Sequence, residues 1–99
     1  LGIRGRQETT VTPANIATNV GSGKVQVFST PMMIALMEKA AVLSIDPFLE
    51  NGQSSVGTHI NVSHIAATPM GMNVWAETEV IEIDRRRVTF SVKAYDETQ

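Results

Sequence analysis

The sequence predicts an α+β domain in which a curved antiparallel sheet wraps around one long central helix. Three observations lead to this fold: a helical segment that is apolar on nearly every side, a series of strand-like segments after it, and a chain of only 99 residues. A chain of that length has room for one small domain with a thin core. We therefore expect a single domain over residues 1–99.

The central helix is expected to begin at residues 29–31 and to end before residues 46–47. The first of these is Ser-Thr-Pro, a hydroxyl cap followed by proline, and the second is Asp-Pro, a stop signal. Between positions 32 and 43 only Glu38 and Lys39 are polar. A surface helix would carry a broad polar stripe, so we expect the sheet to enclose this helix on most sides.

Three strand candidates follow the helix, at residues 55–67, 72–84 and 88–95. Each alternates Val, Ile, Thr or aromatic residues with polar ones, which is typical of an antiparallel sheet with one buried face. A Thr-Pro-Met-Gly turn at residues 68–71 separates the first two candidates, and three arginines at residues 85–87 separate the last two. The arginine run is interpreted either as a solvated turn or as a phosphate-binding cluster.

The other connecting segments carry weaker signals. Residues 7–18 are interpreted as an extended polar segment, residues 20–24 as a loop and residues 25–28 as a short strand, while residues 47–53 hold an Asn-Gly turn signal. The Gly-Ser-Gly-Lys of residues 21–24 lacks the spacing of a phosphate-binding loop.

Composition excludes several classes of protein. The chain has no cysteine, which excludes disulfides, thiolate zinc sites and a cysteine nucleophile. Eight Lys and Arg against ten Asp and Glu give a formal charge of −2, without the basic field that nucleic-acid binding requires. The main apolar stretch, residues 31–45, is too short and too charged to span a membrane. We expect a cytoplasmic protein with neither nucleic acid nor membrane as partner.

Three polar residues stand out against their apolar surroundings. His64 falls on the apolar face of the first strand candidate, whereas His59 falls on the polar face, and a histidine so placed is either a core residue or a catalyst. Glu38 projects from the apolar helix, where it either finds a partner in the core or reaches solvent at the edge of the sheet. Thr30 is either the cap of the helix or a reactive hydroxyl at its N-terminus, where the amides of Met32 and Met33 could bind an oxyanion.

Two segments resemble the hotdog-fold thioesterases related to fluoroacetyl-CoA thioesterase: VFSTPMMIALMEKAA and GTHINVSHIAATPMGM. The resemblance extends from about residue 2 to residue 96. It implies a hotdog fold in which Thr30, Glu38 and His64 form the catalytic set and Gly57 lies close to the substrate. It also implies that the enzyme hydrolyses a small acyl-CoA thioester to the free acid and coenzyme A, with no metal and no cofactor. The expected assembly is a homodimer or a dimer of dimers.

The sequence departs from this family in two places. Residues 21–24 carry no aromatic side chain where the fluoroacetyl-CoA specialist has a phenylalanine lid, so specificity for fluoroacetate is not supported. Without that lid, Met32 and Met33 are expected to bind the acyl group. The relatives also continue into a further strand, which we expect the 99 residues to lack.

The sequence leaves alternatives open for both function and mechanism. A non-catalytic acyl-CoA-binding hotdog module and a hydratase are the alternative functions. In a thioesterase, Thr30 either attacks the thioester after losing its proton to His64, with Glu38 orienting the imidazole, or only positions a water that Glu38 or His64 activates.

Overall fold

The computed structural model describes residues 2–21, 23–24, 26–50, 52–64 and 67–97. It is an α+β structure with one long helix and one antiparallel sheet, as predicted from the sequence. In chain order the elements are β1 (Arg4–Thr10), α1 (Ala17–Val20), α2 (Thr30–Ile45), a 3₁₀ turn (Asp46–Phe48), β2 (Asn73–Asp84) and β3 (Arg87–Asp96).

The sheet has the strand order β1-β2-β3, and both pairs are antiparallel. The predicted strands at residues 72–84 and 88–95 are confirmed, and the arginine run contains the tight turn between them, with Arg85 at φ 57°. β1 begins before the extended segment predicted at residues 7–18 and ends within it. Its side chains alternate between half-buried and exposed, which is the pattern of a strand with one face on the core.

Helix α2 has the predicted bounds and packs across one face of the sheet. Asp46 ends it and Pro47 follows in the 3₁₀ turn, because proline cannot donate the next helical hydrogen bond. The core lies between the helix and the sheet. It is formed by buried side chains of the segment between β1 and the helix, of the helix itself and of β2: Val11, Ile16, Phe28, Met33, Leu36, Met37, Ala40, Val74 and Ala76.

The opposite face of α2 is not covered by the three described strands of one chain. Met32 and Leu43 are 37% and 45% exposed, and Glu38 is exposed as well. The physical reason is the width of the sheet, since three strands cover only one side of a helix. The apolar residues on the other side therefore face outward.

The strand predicted at residues 55–67 is not formed over the part of that segment the structure describes. Residues 53–64 contain neither strand nor turn, and Ile65 and Ala66 lie outside the described residues. Alternation of side chains predicts a strand, but a strand also needs a neighbouring backbone to pair with. No described strand lies beside this segment, and its apolar side chains are exposed, Val56 by 81%.

The predictions for the connecting segments have mixed outcomes. Residues 17–20 form the short helix α1, where the end of the extended segment and the first residue of the loop were expected, and the helix ends at Gly21 with φ 85°. The expected short strand is reduced to isolated bridges at Val27 and Phe28. The turns near Gly52 and Gly71 are formed, with positive φ at both glycines. Ser22, Val25 and Asn51, which belong to three of these predictions, lie outside the described residues.

Two findings concern partners and ligands. Within the described ranges, no helix has the length and apolar character needed to cross a membrane. The same residues contain no group of three or more His, Asp or Glu side chains that could hold a metal ion. The single domain over residues 1–99 stays a prediction.

Candidate active site

Ser29, and not Thr30, caps the long helix. The Ser29 hydroxyl accepts a hydrogen bond from the Met32 amide at 3.3 Å, and the Ser29 carbonyl accepts one from the Met33 amide at 2.9 Å. Thr30 is consequently the first helical residue. The Thr30 hydroxyl does not cap the helix, so capping does not explain why a threonine stands at this position. The two methionine amides expected to bind an oxyanion already donate within the cap.

Asn15 fixes the start of the helix from the β1 side. Its carbonyl accepts the Ser29 amide at 2.9 Å, and its buried side chain accepts from the Thr12 amide and donates to the Thr10 carbonyl. The residue thus links the end of β1 to the turn that presents Thr30. Sequence analysis did not single it out, since an asparagine in a polar stretch carries no signal of burial.

The Thr30 hydroxyl meets the imidazole of His64. The Thr30 Oγ1 and His64 Nδ1 atoms lie 2.7 Å apart, although the two residues are 34 positions apart in the chain. Thr30 is exposed and His64 is half-buried. When Nδ1 is the unprotonated nitrogen, the hydroxyl donates to it, which is the geometry of a nucleophile or water-positioning hydroxyl next to a general base.

Glu38 lies at a second position on the same helix. It is eight residues after Thr30, which corresponds to a rise of about 12 Å along the helix axis. There its carboxylate approaches the backbone of Gly57: a Cβ built on that glycine would lie 2.8 Å from Glu38 Oε2. The structure therefore brings together two pairs, Thr30 with His64 and Glu38 with Gly57, and not the expected three-residue set.

A cavity of about 400 Å³ opens beside His64, between β3 and the segment that carries the histidine. Its lining includes the apolar residues Phe28, Met33 and Met37 and the polar residues Ser63, Thr68, Lys93 and Asp96. Of the two methionines expected to bind the acyl group, Met33 lines this cavity. Met32 is not among its lining residues and is exposed.

The remaining candidates lie outside this region. His59 is exposed on the segment that precedes His64. The arginine run is at the far end of the β2–β3 hairpin, nine residues of β3 away from Asp96, a distance of about 30 Å. Within one chain the arginines therefore do not adjoin the Thr30–His64 pair.

Comparison with known proteins identifies the family. The family model described as fluoroacetyl-CoA-specific thioesterase matches residues 11–99. The chain belongs to this family. A fluoroacetyl-CoA thioesterase from Streptantibioticus cattleyicolor is 44% identical over 71 residues, which are 72% of this chain and 51% of the relative. The matched region is thus about half the length of that curated relative.

Solved structures confirm the hotdog fold of this family member. The fluoroacetyl-CoA thioesterase FlK superposes with a TM-score of 0.91 at 34% identity, over 98% of this chain and 76% of that one. A FlK variant in complex with fluoroacetate and CoA gives 0.89 at 34% identity, over 97% and 82%. A thioesterase superfamily member from Thermus thermophilus gives 0.89 at 33% identity, over 98% and 72%.

Proposed function

We propose that the protein hydrolyses a small acyl-CoA thioester to the free acid and coenzyme A. The observation that carries this proposal is the hydrogen bond between Thr30 and His64, which pairs a hydroxyl with a base at the N-terminus of the central helix. Membership of a thioesterase family supports it, as does the complex of a related enzyme with fluoroacetate and CoA.

In the proposed reaction His64 removes a proton and returns it to the leaving thiolate. If Thr30 is the nucleophile, its oxygen bonds to the carbonyl carbon, the carbon–sulfur bond breaks, and water then hydrolyses the acyl-threonine ester. If water is the nucleophile, Thr30 only holds it next to His64. Both routes use only side chains of the protein and water, so the proposal includes no metal and no cofactor.

Variants of Thr30 distinguish the two routes. Covalent attack predicts that Thr30→Ala loses at least about 100-fold in kcat while Thr30→Ser retains most of it, because serine supplies the same oxygen. A water route predicts a smaller loss for the alanine variant. The assay measures free thiol released from short, branched and aromatic acyl-CoAs. If the wild-type protein binds but hydrolyses none of them, it is instead a non-catalytic acyl-CoA-binding module.

The separation of the two pairs supports a homodimer in which each site is built from both copies. The segment from Val56 to His64 runs without a turn, and its side chains at Val56, Ile60 and Val62 are exposed. A twofold axis near residue 60 would pair this segment with itself in the antiparallel direction and place Gly57 opposite His64 of the second copy. Glu38 of one copy would then join the Thr30–His64 pair of the other.

Mixing inactive variants tests this arrangement. Glu38→Ala and His64→Ala damage different halves of a shared site, so dimers that contain one copy of each keep one intact site. Refolding equal amounts together should restore about a quarter of wild-type activity. Thr30→Ala mixed with His64→Ala is the control, because both changes fall in the same half and should not complement. Absence of complementation in both mixtures would contradict the shared site.

A cytoplasmic location belongs to the same proposal. The substrate proposed here is a large, multiply charged soluble thioester, which the protein would meet in that compartment. Cell fractionation tests the location directly. Recovery of the protein in a membrane or extracellular fraction would contradict it.

A further inference from the structure

We propose that Thr68 and Asp96 form a buried positioning pair that sets the geometry of the Thr30–His64 hydrogen bond. The proposal rests on the hydrolytic function above and assigns to it two residues that take no part in the chemistry. Thr68 follows His64 by four residues, and Asp96 is the last residue of β3. Their side chains meet at 2.9 Å, where the Thr68 hydroxyl donates to Asp96 Oδ2.

Thr68 connects the two segments that carry the catalytic pair. Its carbonyl accepts the amide of Phe28 at 2.8 Å, two residues before Thr30, and the adjacent Pro69 bridges to Val27. Through its side chain the same residue is attached to β3. The segment that carries Thr30 and the segment that carries His64 are therefore both connected to Thr68. The hydrogen bond to Asp96 attaches Thr68 to the sheet.

The attachment is buried. Thr68 is 5% exposed and Asp96 is 3% exposed, so their hydrogen bond is shielded from water that could replace it. Hydrogen bonds to a charged acceptor are stronger than neutral ones, and removing one partner leaves a buried group less well satisfied. A structural role alone would explain this burial. A positioning role requires in addition that the Thr30–His64 distance depends on the pair.

That dependence follows from how His64 is held. The segment before the histidine, residues 53–64, belongs to no strand within the described ranges. After the histidine, Thr68 is the nearest described residue that is hydrogen-bonded both to the segment just before α2 and to the sheet. A shift of about 1 Å between catalytic groups can cost about 100-fold in rate. Loss of the Thr68 hydroxyl should therefore lower kcat even in a variant that stays folded.

The experiment replaces the donor without changing its shape. Thr68→Val removes the hydroxyl and Thr68→Ser keeps it. Thr78→Val is the matched control, since Thr78 is 4% exposed, lies on β2 and makes no hydrogen bond through its hydroxyl with the described residues. In the full-length enzyme, kcat, KM and the melting temperature are measured for each variant, and the ring nitrogens of His64 are followed by NMR. His59 serves as the internal reference, because the sequence has only two histidines.

We expect Thr68→Val to lower kcat by about 10-fold or more with KM changed less than about 2-fold, and to move the His64 Nδ1 signal. Thr68→Ser should recover most of the rate and the wild-type signal, and Thr78→Val should change neither. A lower melting temperature with unchanged kcat and an unchanged His64 signal would overturn the proposal. So would an equal loss of kcat in Thr78→Val.

Asp96→Asn provides a second test if Thr68→Val does not fold. The asparagine oxygen can still accept from Thr68, so this variant should stay closer to the wild type in kcat and in the His64 signal than Asp96→Ala does. Equal behaviour of the two variants would contradict the role of the pair. The NMR measurement needs no activity. If the wild type hydrolyses no acyl-CoA, the proposed function fails while the effect of Thr68 on His64 is still decided.

Discussion

Two glycines lie against opposite faces of the central helix, and they differ in what approaches them. On the sheet side, a Cβ at Gly5 would lie 2.5 Å from the Ala40 carbonyl oxygen and 2.7 Å from Ser44 Cβ. On the open side, a Cβ at Gly57 would lie 2.8 Å from Oε2 and 3.8 Å from Cδ of the Glu38 carboxylate. The first glycine is surrounded by rigid backbone and core atoms, and the second meets the end of a flexible side chain.

The two faces of the helix are therefore expected to have different roles, one in stability and the other in function. The face of the helix that packs on the sheet contains the core, and changes there should alter the free energy of unfolding. The open face carries Glu38 and the exposed apolar segment around Gly57, and changes there should alter activity or assembly with little cost in stability. Four substitutions test this division.

The largest effect on stability is expected from Gly5→Ala. The added methyl group cannot be accommodated unless β1 moves away from α2, and overpacking of this kind costs about 1–3 kcal/mol. Chemical denaturation measures the change in unfolding free energy. Gly23→Ala is the control, because its Cβ would lie 3.4 Å from Ala17 Cβ, an ordinary contact. Equal stability of the two variants would contradict close packing of β1 against the helix.

Ser29→Ala should come next. The Ser29 side chain is fully buried and caps the helix by accepting the Met32 amide, and loss of such a cap costs about 1 kcal/mol. Ser44→Ala serves as the control, since the Ser44 hydroxyl only returns to the Ala41 carbonyl within the helix. Thermal unfolding of both variants measures the difference. A larger loss for Ser44→Ala would show that the cap contributes little.

Gly57→Ala should affect activity and leave stability nearly unchanged. The carboxylate of Glu38 can rotate away from the new methyl group, so the fold is retained, but the carboxylate is displaced and kcat should fall by up to about 10-fold. The double variant with Glu38→Gln tests the cause. If Gly57 acts through Glu38, the alanine should have little further effect once the carboxylate is gone. Full additivity of the two losses would contradict the coupling.

The smallest change in the stability of a single chain is expected from Val56→Ser. Replacing a side chain that is 81% exposed changes the unfolding free energy by no more than about 0.5 kcal/mol. In the proposed homodimer the same residue is covered, so the variant should dissociate at a higher protein concentration than the wild type. Sedimentation equilibrium measures this directly. Identical association of both proteins would mean that the open face is not the interface.

Local signals predicted the elements that depend on neighbouring residues. The Ser-Thr-Pro start and the Asp-Pro stop delimited α2 correctly, because capping and proline geometry act within one helical turn. The β2–β3 hairpin was predicted for a similar reason, since its strands are neighbours in the chain and pair across a tight turn, with one register shift between Val80 and Glu82. The same signals predicted the correct start of the helix but suggested Thr30 as its cap. The structure shows that Ser29 is the capping residue.

The predicted catalytic set is only partly brought together within one chain, and the roles of its residues stay predictions. Thr30 and His64 are hydrogen-bonded, as a hydroxyl and a base acting together require. Glu38 is not beside them in one chain, because eight helical residues separate it from Thr30 by about 12 Å. Sequence spacing alone indicated this distance, but it could not indicate that Glu38 lies against Gly57 while His64 lies against Thr30.

By itself, the sequence determined the α+β class, the long apolar helix and the β2–β3 hairpin, because these follow from capping and periodicity. Only the tertiary structure decided that residues 53–64 form no strand, that one face of the helix is open, and that Asn15, Thr68 and Asp96 hold the site together. These features depend on contacts between residues far apart in the chain. Hydrogen bonds such as that between Thr68 and Asp96, 28 positions apart, leave no pattern in the local sequence.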